Sequence, residues 1–428
     1  MIHRKPVAVL LAAFISLLNF APAFSCSSYK VTVAGKTMVG SNYDAWFTGP
    51  RIWFETKGYG AQFSGGRPDG KFGYAPQTGM NEFGLAFVSL ATATPANGTA
   101  PVGKKQITSR TLYLKDILHT CKTVGEVKAY VEQYDHSLLS GDVFLYVDSS
   151  GRYLVVEPYT TTPGNDAKYV LANFCPSVVT DFGAITQPRY INGAAFLKDK
   201  IDTSLAFCRA LSDTMHVCRS KHGDGTLLTS ILDLNNGITN LYFYHNYERR
   251  VTFNLATELA RGDHFLEIPS LFPPNEEFQE LVDFKTPHNT SMLNSFLWIC
   301  VGLFIVSALF YGISYFNKRA VTKFAYVKLL LVPLSLLMAF YMLVLLRTEN
   351  IYYFPAPYID SSFAIISMTS YIPFLILLLM IPLLVLNLKL FRQPLWGLPV
   401  KWVFTLNNTF YLGLVMLFTY WGFYSLLS

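Results

Sequence analysis

Four long apolar stretches in the last third of the chain constrain its fold most. Each is about as long as an α-helix that crosses the hydrocarbon core of a bilayer, the second being the shortest. Between their ends they contain no Asp, Glu, Lys, Arg or His, whereas an ion path or pump usually carries one. The sequence therefore predicts an all-α membrane domain of four transmembrane helices that anchors rather than transports. The stretches are residues 295–316, 329–346, 363–388 and 403–427, within a domain of residues 293–428.

The connections between these stretches differ in charge. The first and third connections are basic, whereas the second, residues 348–362, contains Glu349 and Asp360 but no Lys or Arg. Basic connections stay on the cytoplasmic side of a membrane. We therefore expect a multi-pass protein of the cytoplasmic membrane whose preceding domain is extracytoplasmic, on the periplasmic side. The basic residues are Lys318, Arg319, Lys323 and Lys328, then Lys389, Arg392 and Lys401.

The beginning of the chain has the pattern of a secretory signal. Basic residues at positions 3–5 precede an apolar run over residues 7–20, and small residues follow where a signal peptidase reads them. The run is too short to span a bilayer comfortably, so a cleaved signal of residues 1–25 is favoured over an anchor. Cleavage after Ser25 would leave Cys26 with a free α-amine.

A cysteine at a new N-terminus has chemical meaning. A thiol is a poor nucleophile until it loses its proton, and an α-amine titrates at roughly pH 8. Cys26 would therefore carry its own base beside its nucleophile. A cysteine after an apolar leader can also be a lipidation site or half of a disulfide, although the bulky Phe24 fits poorly with a lipoprotein signal. The leader alone leaves these alternatives open.

Composition excludes several other classes of protein. Only 14% of the 428 residues are charged, against roughly 25% in soluble proteins. The net charge of +6 comes without a basic patch interleaved with aromatics, so we expect no nucleic-acid partner. The eight histidines and six cysteines show no metal-ligand spacing, and we assign no metal and no cofactor. A disulfide is left open among Cys121, Cys175, Cys208 and Cys218.

Residues 26–267 have the pattern of an α+β domain. Strands are predicted first, then helices over residues 108–134 and 191–215, with further strands between and after them. Asp148-Ser-Ser-Gly151 between two apolar runs is a strong hairpin signal. This order predicts antiparallel sheets with helices packed outside. A linker follows at 268–292. The strands are predicted at 29–39, 51–55, 84–90, 143–147, 153–157, 169–172, 241–244 and 251–255.

Several segments of this domain, taken in order, resemble one superfamily. It comprises the cysteine N-terminal-nucleophile (Ntn) hydrolases, with choloylglycine hydrolases, penicillin V acylases and, more distantly, acid ceramidase-like enzymes. The match covers about residues 26–265 and excludes the apolar stretches. The matching segments are Cys26, Gly-Ser-Asn-Tyr-Asp-Ala-Trp at 40–46, Gly-Met-Asn-Glu-Phe-Gly-Leu at 79–85, the helix pair around 118–126, the hairpin 148–157, the strand 169–174 and Pro-Arg-Tyr at 188–190.

The resemblance implies a fold and a set of roles. The fold would be the four-layer αββα Ntn-hydrolase sandwich. Cys26 would attack an amide carbonyl while its amine manages the proton, and Asp44 would hold that amine. Asn173 would point its side-chain N–H at the developing oxyanion. Arg189 would fix the loop or stabilise the charged cysteine pair.

Two positions depart from the family pattern. Ser41 stands where relatives carry an arginine beside the thiol, and a cation there favours the thiolate. Arg51 is a candidate substitute. Ala91 stands where relatives often have an asparagine that contributes to the oxyanion hole. If a backbone N–H serves there, Ala91 suffices.

Taken together, these features predict a membrane-anchored extracytoplasmic hydrolase acting on a linear non-peptide amide, through a thioester on Cys26. Because anchoring would hold the site near the bilayer surface, we expect an N-acyl amide with lipid-like character, and membrane lipids as partners. One alternative passes the acyl group to another amine and is an acyltransferase. Another is a catalytically silent ectodomain that binds amides, for which Ser41 is the best support. A transporter comes third.

Overall fold

The computed structural model describes residues 26–95, 103–218, 225–318, 324–354, 356–358, 364–393 and 395–425. The predicted signal segment, residues 1–25, lies outside the described residues. The chain divides into two compact units, and the boundary between them falls between Asp283 and Phe284. The first unit combines sheets and helices, and the second is helical.

The first unit contains eighteen strands and six α-helices among its described residues. The strands are β1 (Ser27–Val33), β2 (Lys36–Ala45), β3 (Arg51–Glu55), β4 (Ala61–Gly65), β5 (Arg67–Pro68), β6 (Tyr74–Ala75), β7 (Thr78–Asn81), β8 (Ala86–Ala91), β9 (Lys105–Gln106), β10 (Tyr134–Asp135), β11 (Asp142–Val147), β12 (Tyr153–Val156), β13 (Thr161–Gly164), β14 (Lys168–Leu171), β15 (Gly225–Asp233), β16 (Ile238–Phe243), β17 (Asn246–Asn254) and β18 (His264–Glu267). The helices are α1 (Arg110–Thr120), α2 (Val124–Val131), α3 (Pro188–Phe196), α4 (Leu205–Met215), α5 (Leu255–Leu259) and α6 (Glu276–Asp283).

Two antiparallel sheets form the centre of this unit. One has six strands in the order β14-β1-β2-β15-β16-β17, and the other has eight in the order β13-β12-β11-β8-β7-β4-β3-β18. Two-stranded pairings of β5 with β6 and of β9 with β10 lie outside them. The first strand of the domain is therefore an interior strand of the six-stranded sheet, and its N-terminal end is held on both sides.

Alternate positions of each strand direct apolar side chains to the outer face of its sheet. One layer of helices therefore packs on each sheet. Residues of α1 and α2 pack with Phe63 and Phe87 of the eight-stranded sheet. Residues of α4 pack with Tyr29 and Ile231 of the six-stranded sheet, and Leu197 after α3 joins them. Side chains on the inner faces meet across the middle of the unit, for example through the hydrogen bond from Gln62 to Thr239. The first unit is thus a four-layer αββα sandwich, as the sequence predicts.

The first predicted strand, residues 29–39, is wrong in one respect, because the structure has a hairpin there. Strand β1 ends at Val33 and β2 begins at Lys36. Ala34 and Gly35 make the turn at φ of +50° and +79°. A two-residue turn of this kind joins paired strands directly. The alternation of side chains therefore continues through the turn and hides it.

Close contact between neighbouring strands fixes the β1–β2 pair. Gly40 pairs with Tyr29, and a Cβ added at Gly40 would lie 2.1 Å from Cζ of the tyrosine ring. The Tyr29 hydroxyl donates to the Cys208 carbonyl at 2.6 Å and lies 2.9 Å from the Ser212 hydroxyl, both in α4. The tyrosine ring therefore occupies the space above Gly40 and ties β1 to the helical layer.

Most other predicted elements of this unit are confirmed. The hairpin at residues 148–151 joins β11 to β12, and α1 and α2 fall within 108–134. The single helix predicted over 191–215 is instead two, because α3 ends at Phe196 and α4 begins at Leu205. Within the predicted linker, residues 268–292, the structure has a 3₁₀ turn and all of α6.

The second unit contains four helices long and apolar enough to cross a membrane, among the described residues. Prolines have two roles in them: Pro333 and Pro382 lie inside helices, whereas Pro373 lies at the start of one. The third candidate span is interrupted near Ser370, where one helix ends and the next begins. The first, second and fourth spans are α7 (Ser291–Lys318), α8 (Ala325–Arg347) and α11 (Leu398–Tyr420), and the third is made of α9 (Ala364–Thr369) and α10 (Ile372–Arg392).

Polar side chains link the apolar helices. Asn407 of α11 donates to the Tyr311 hydroxyl at 2.8 Å and accepts from the Ser307 hydroxyl at 3.1 Å, both in α7. The sequence places Lys328 in a connection, but the structure puts it in the first turn of α8, buried, with Nζ 3.1 Å from Ser314 Oγ. A lysine is tolerated there because its ammonium group has a hydrogen-bond partner.

Candidate active site

Cys26 lies directly before β1 and is only 7% exposed. Its thiol donates to the backbone carbonyl of Asp44, with the sulfur 3.9 Å from that oxygen. On the other side, the amide nitrogen Nε2 of Gln77 lies 3.9 Å from the same sulfur. Asp44 belongs to the six-stranded sheet and Gln77 lies beside the eight-stranded one, so the sulfur is contacted from both sheets.

Gln77 is a site residue that sequence reasoning missed. Its backbone N–H donates to the Ser64 carbonyl at 2.8 Å, and its carbonyl accepts from the Ser89 N–H at 2.8 Å. Its side-chain amide donates to the Ser89 carbonyl as well as facing Cys26. The backbone is thus fixed between two strands, and the amide is aimed at the sulfur. Its short motif, Pro-Gln-Thr, carries no signal of this role.

Asp44 is held by a threonine from the neighbouring strand. Thr226 of β15 pairs with Asp44, and its hydroxyl donates to Oδ1 at 2.5 Å. The same hydroxyl accepts from the Val217 N–H at 2.9 Å. A hydroxyl that accepts one hydrogen bond has its own proton directed elsewhere, here at the carboxylate. Thr226 was also missed, because it lies far from Asp44 in sequence.

Asn173 and Arg189 meet in a second cluster. Arg189 Nη2 donates to Oδ1 of Asn173 at 2.8 Å, and Nδ2 of Asn173 donates to the Ala91 carbonyl at 2.6 Å. The side-chain amide of Gln187 bonds both backbone groups of Asn173. It accepts from the Asn173 N–H at 3.2 Å and donates to the Asn173 carbonyl at 3.1 Å. Arg189 is therefore part of a built cluster rather than a solvated surface arginine.

Strand register relates this cluster to Cys26. Strand β14 pairs with β1 so that Ser28 lies across from Leu171. Cys26 directly precedes β1, and Asn173 lies two residues after the end of β14, so both lie at the same end of this strand pair. The topology therefore brings the predicted nucleophile and the predicted oxyanion residue to one edge.

The backbone of Ala91 faces the same edge. In a central strand, successive peptide groups point alternately to the two neighbouring strands. Ser89 binds Gln77 through both its N–H and its carbonyl. Two residues later, the Ala91 peptide points the same way, where its carbonyl meets Asn173. The Ala91 N–H is thus directed toward the edge where the sequence predicts an oxyanion donor.

The missing arginine at position 41 is not replaced by Arg51. Ser41 is buried and accepts from the Thr78 hydroxyl at 3.3 Å between the two sheets. Arg51 instead pairs with Glu267 at 3.0 Å, with its guanidinium 4.5 Å from the Tyr74 ring and 4.4 Å from the Phe265 ring. These contacts hold Arg51 against β18, an edge strand of the eight-stranded sheet.

Two other arginines supply positive charge near the site. Burial raises the pKa of the Tyr43 phenol, and the charge of Cys26 raises it further, while Arg110 and Arg67 lower it. Both arginines therefore lie within electrostatic reach of the residue beside Asp44. Arg110 is fixed by Asp142, with its Nε 3.1 Å from Oδ2, and by the Ser89 hydroxyl at 2.6 Å.

The remaining thiols differ in exposure, because Cys218 is exposed and the other four are buried. None of the six cysteines, all of which lie in the described part of the chain, is in a disulfide. Burial raises the pKa of the Cys175 and Cys208 thiols to about 12 each. Within the described ranges, no group of three or more His, Cys, Asp or Glu could hold a metal ion.

Two solved structures are similar to this chain at low sequence identity. A variant of the conjugated bile acid hydrolase from Clostridium perfringens is 18% identical with a TM-score of 0.45, over 58% of this chain and 97% of that one. Penicillin V acylase from Agrobacterium tumefaciens is 14% identical with a TM-score of 0.40, over 51% of this chain and 82% of that one. No protein-family model and no curated protein sequence matches the chain.

Proposed function

We propose that this chain is a membrane-anchored, extracytoplasmic hydrolase that cleaves the C–N bond of a linear non-peptide amide. Cys26 is the nucleophile, exposed as an N-terminal residue when the export signal is removed. The sequence resemblance to cysteine Ntn hydrolases supports the reaction class. The four apolar helices support anchoring, and the basic connections support the placement of the domain outside.

One observation carries the proposal. The register of β1 with β2 and β14 brings three predicted residues, Cys26, Asp44 and Asn173, to the same end of one sheet. They come from parts of the sequence up to about 150 residues apart. Single asparagines and aspartates are common turn residues. Their placement at one end of the sheet that carries the buried thiol favours a catalytic site.

The geometry suggests where the new amine would lie. Ser27 pairs with Asn42, so the backbone nitrogen of Cys26 comes level with the Tyr43–Asp44 segment. The Asp44 carboxylate, held by Thr226, would then accept from the ammonium group and orient it. Such an orienting contact keeps base and nucleophile in one residue aligned.

The reaction would follow in two stages. The α-amine takes the thiol proton, and the thiolate attacks the amide carbonyl. Asn173 and the Ala91 N–H stabilise the oxyanion, and the tetrahedral adduct expels the amine after receiving a proton from the Cys26 ammonium. Water, deprotonated by the same amine, then attacks the thioester. The acid leaves and the thiol is restored.

Two rivals use the same architecture. An acyltransferase would pass the thioester to an added amine, and product analysis with competing amines separates it from a hydrolase. A silent amide-binding ectodomain is favoured by Ser41, because a serine buried against Thr78 supplies no cation. That rival predicts binding of acyl amides that is identical in wild type and Cys26→Ala, with no turnover in either.

The decisive experiment is intact-mass and N-terminal analysis of protein purified from membranes, before and after an electrophilic acyl-amide mimic. We expect a terminus at Cys26 and a single adduct on it, absent in Cys26→Ala. Cys208→Ala is a matched control, because that buried thiol should contribute no adduct. A terminus elsewhere, or a lipid on Cys26, would end the proposal.

A further inference from the structure

A surface loop leaves the candidate site directly after Asn173. It covers residues 174–187 and is closed at its base by the paired hydrogen bonds between Gln187 and the Asn173 backbone. Ser177 anchors its middle, because its N–H and hydroxyl both donate to the buried carboxylate of Glu157, the hydroxyl at 2.6 Å. The loop is thus a fixed structure attached to the candidate oxyanion residue.

The surface of this loop is unusually apolar. Among its fourteen residues only Asp181 is charged. Val178 is 60% exposed and Phe182 is 47% exposed, and Ile191 in the first turn of α3 is 46% exposed. Soluble surfaces seldom group such side chains unless they bind something.

Aromatic rings join these side chains to the site. Phe174 follows Asn173, and its ring centroid lies 5.1 Å from that of Tyr190 and 6.2 Å from that of Phe182. Tyr190 follows Arg189, which binds Asn173. An apolar path therefore runs from the candidate oxyanion residue outward along the loop to Phe182.

We propose that the loop face around the ring cluster of Phe174, Phe182 and Tyr190, together with the exposed Val178 of the same loop, is the subsite for the acyl chain of an N-acyl amide. The inference rests on the proposed function. A substrate carbonyl held at Asn173 carries its acyl chain on one side, and the apolar path begins there. A long saturated or unsaturated chain would gain from each methylene it buries, by roughly a factor of three to four in affinity. The substrate class is therefore a long-chain N-acyl amide rather than a short polar one.

The competing occupant is the bilayer itself. Exposed Phe and Val side chains also insert into membrane interfaces, and this chain carries membrane-spanning helices. That arrangement would affect every substrate presented in vesicles equally and would disappear in detergent. The acyl subsite instead acts in detergent too, and its effect grows with chain length.

The test uses the full-length protein in detergent with N-acyl 4-nitroanilides from acetyl to dodecanoyl. In Val178→Ser/Phe182→Ser we expect the ratio of kcat/KM for dodecanoyl over acetyl to fall about tenfold, through a higher KM for dodecanoyl. Phe83→Ser is the matched control. Phe83 is 40% exposed in the turn between β7 and β8, at the far end of β8 from Ala91, and its removal should leave the ratio unchanged.

A binding measurement separates failure of this inference from failure of the proposed function. In a Cys26→Ala background, which removes the nucleophile, calorimetric affinity for N-dodecanoyl amide should weaken about tenfold when Val178 and Phe182 are replaced. A dodecanoyl-to-acetyl ratio of kcat/KM that stays at the wild-type value would overturn the inference, whether or not both rates fall. Loss confined to vesicle-presented substrate would assign the face to the bilayer. Absence of hydrolysis at every length, with the affinity change intact, would overturn the proposed reaction alone.

Discussion

Arg189 and Asn173 are joined by a 2.8 Å hydrogen bond from Nη2 to Oδ1, which determines how the asparagine amide is oriented. Because the oxygen accepts from the arginine, the nitrogen is on the opposite side and donates one hydrogen to the Ala91 carbonyl. In the proposed reaction, its second hydrogen would stabilise the oxyanion. We therefore predict that Arg189 acts on the candidate oxyanion site by orienting Asn173 and does not contact the substrate.

Replacing Asn173 by alanine should lower kcat by about 100-fold, since one lost oxyanion donor costs roughly 3 kcal/mol. Replacing Arg189 by glutamine should lower kcat less, by about tenfold, because the amide loses its orientation but keeps its donors. Steady-state kinetics with a single amide substrate would show whether the Asn173 variant loses more kcat than the Arg189 variant. KM should change little in both.

Arg152 provides the control for Arg189. It is an exposed arginine in the β11–β12 hairpin, so Arg152→Gln should leave kcat unchanged. If Arg189→Gln raised KM while sparing kcat, the arginine would bind substrate directly, and the positioning role would be wrong.

Thr226 should matter for both activity and stability. Thr226→Val removes the hydroxyl that donates to Asp44. It also leaves the Val217 N–H without its acceptor, because in the wild type that N–H donates to the same hydroxyl. A buried unsatisfied N–H costs about 1–3 kcal/mol, so both the melting temperature and kcat should fall. Thr226→Ser restores the hydroxyl and should rescue both. Rescue of the melting temperature without kcat would separate Asp44 from catalysis.

Acid should destabilise the fold through His136. Burial lowers the pKa of its imidazole to about 4, with Lys104 adding to the effect, and Nε2 lies 2.9 Å from the Tyr113 hydroxyl oxygen. The unfolded chain, with a pKa near 6.5, binds more protons between these values. Stability should therefore be fully present above about pH 6.5 and fall by roughly 3 kcal/mol as pH drops to about 4.

Melting temperature against pH measures this effect. In His136→Phe the acid slope between about pH 6.5 and 4 should flatten relative to wild type, whatever the constant offset between the two proteins. Identical slopes would mean that folding does not lower the pKa of the imidazole.

Within the helical unit, Asn407 should contribute to helix association. It bonds Tyr311 and Ser307 of α7 from α11. Such interhelical bonds are worth about 0.6–1.7 kcal/mol in membrane proteins. Asn407→Leu should lower the melting temperature in detergent by a few degrees. Thr409→Val is the control, because Thr409 is exposed and bonds the Thr405 carbonyl of its own helix.

Sequence reasoning predicted the layers of the fold well, for a physical reason. Apolar periodicity reports which face of each strand or helix is buried, so α1, α2 and the β11–β12 hairpin could be found. Periodicity fails to show a turn when the alternation of side chains continues through it, as at Ala34–Gly35. It also fails for Leu112, which fits the apolar period of α1 but is exposed.

The partners of the site residues could not be predicted. Thr226 reaches Asp44 because β15 pairs with β2, and Gln77, directly before β7, reaches Cys26 from the other sheet. Neither relation leaves a signal in the local sequence. The sequence offers Arg51 as a candidate substitute for the arginine that is missing at position 41. The structure places it on Glu267, and Arg110 and Arg67 are the cations near Tyr43.

The tyrosine that fills the space over Gly40 has a consequence for how this protein can diverge. Any side chain at position 40 would collide with a ring that is itself fixed by α4, three residues from Cys26. Relief would require β1 to shift, and the thiol with it. In a saturation mutagenesis screen scored by hydrolysis, position 40 should therefore accept almost no substitution, including alanine, whereas the open turn glycine Gly35 should fail only through its backbone angle.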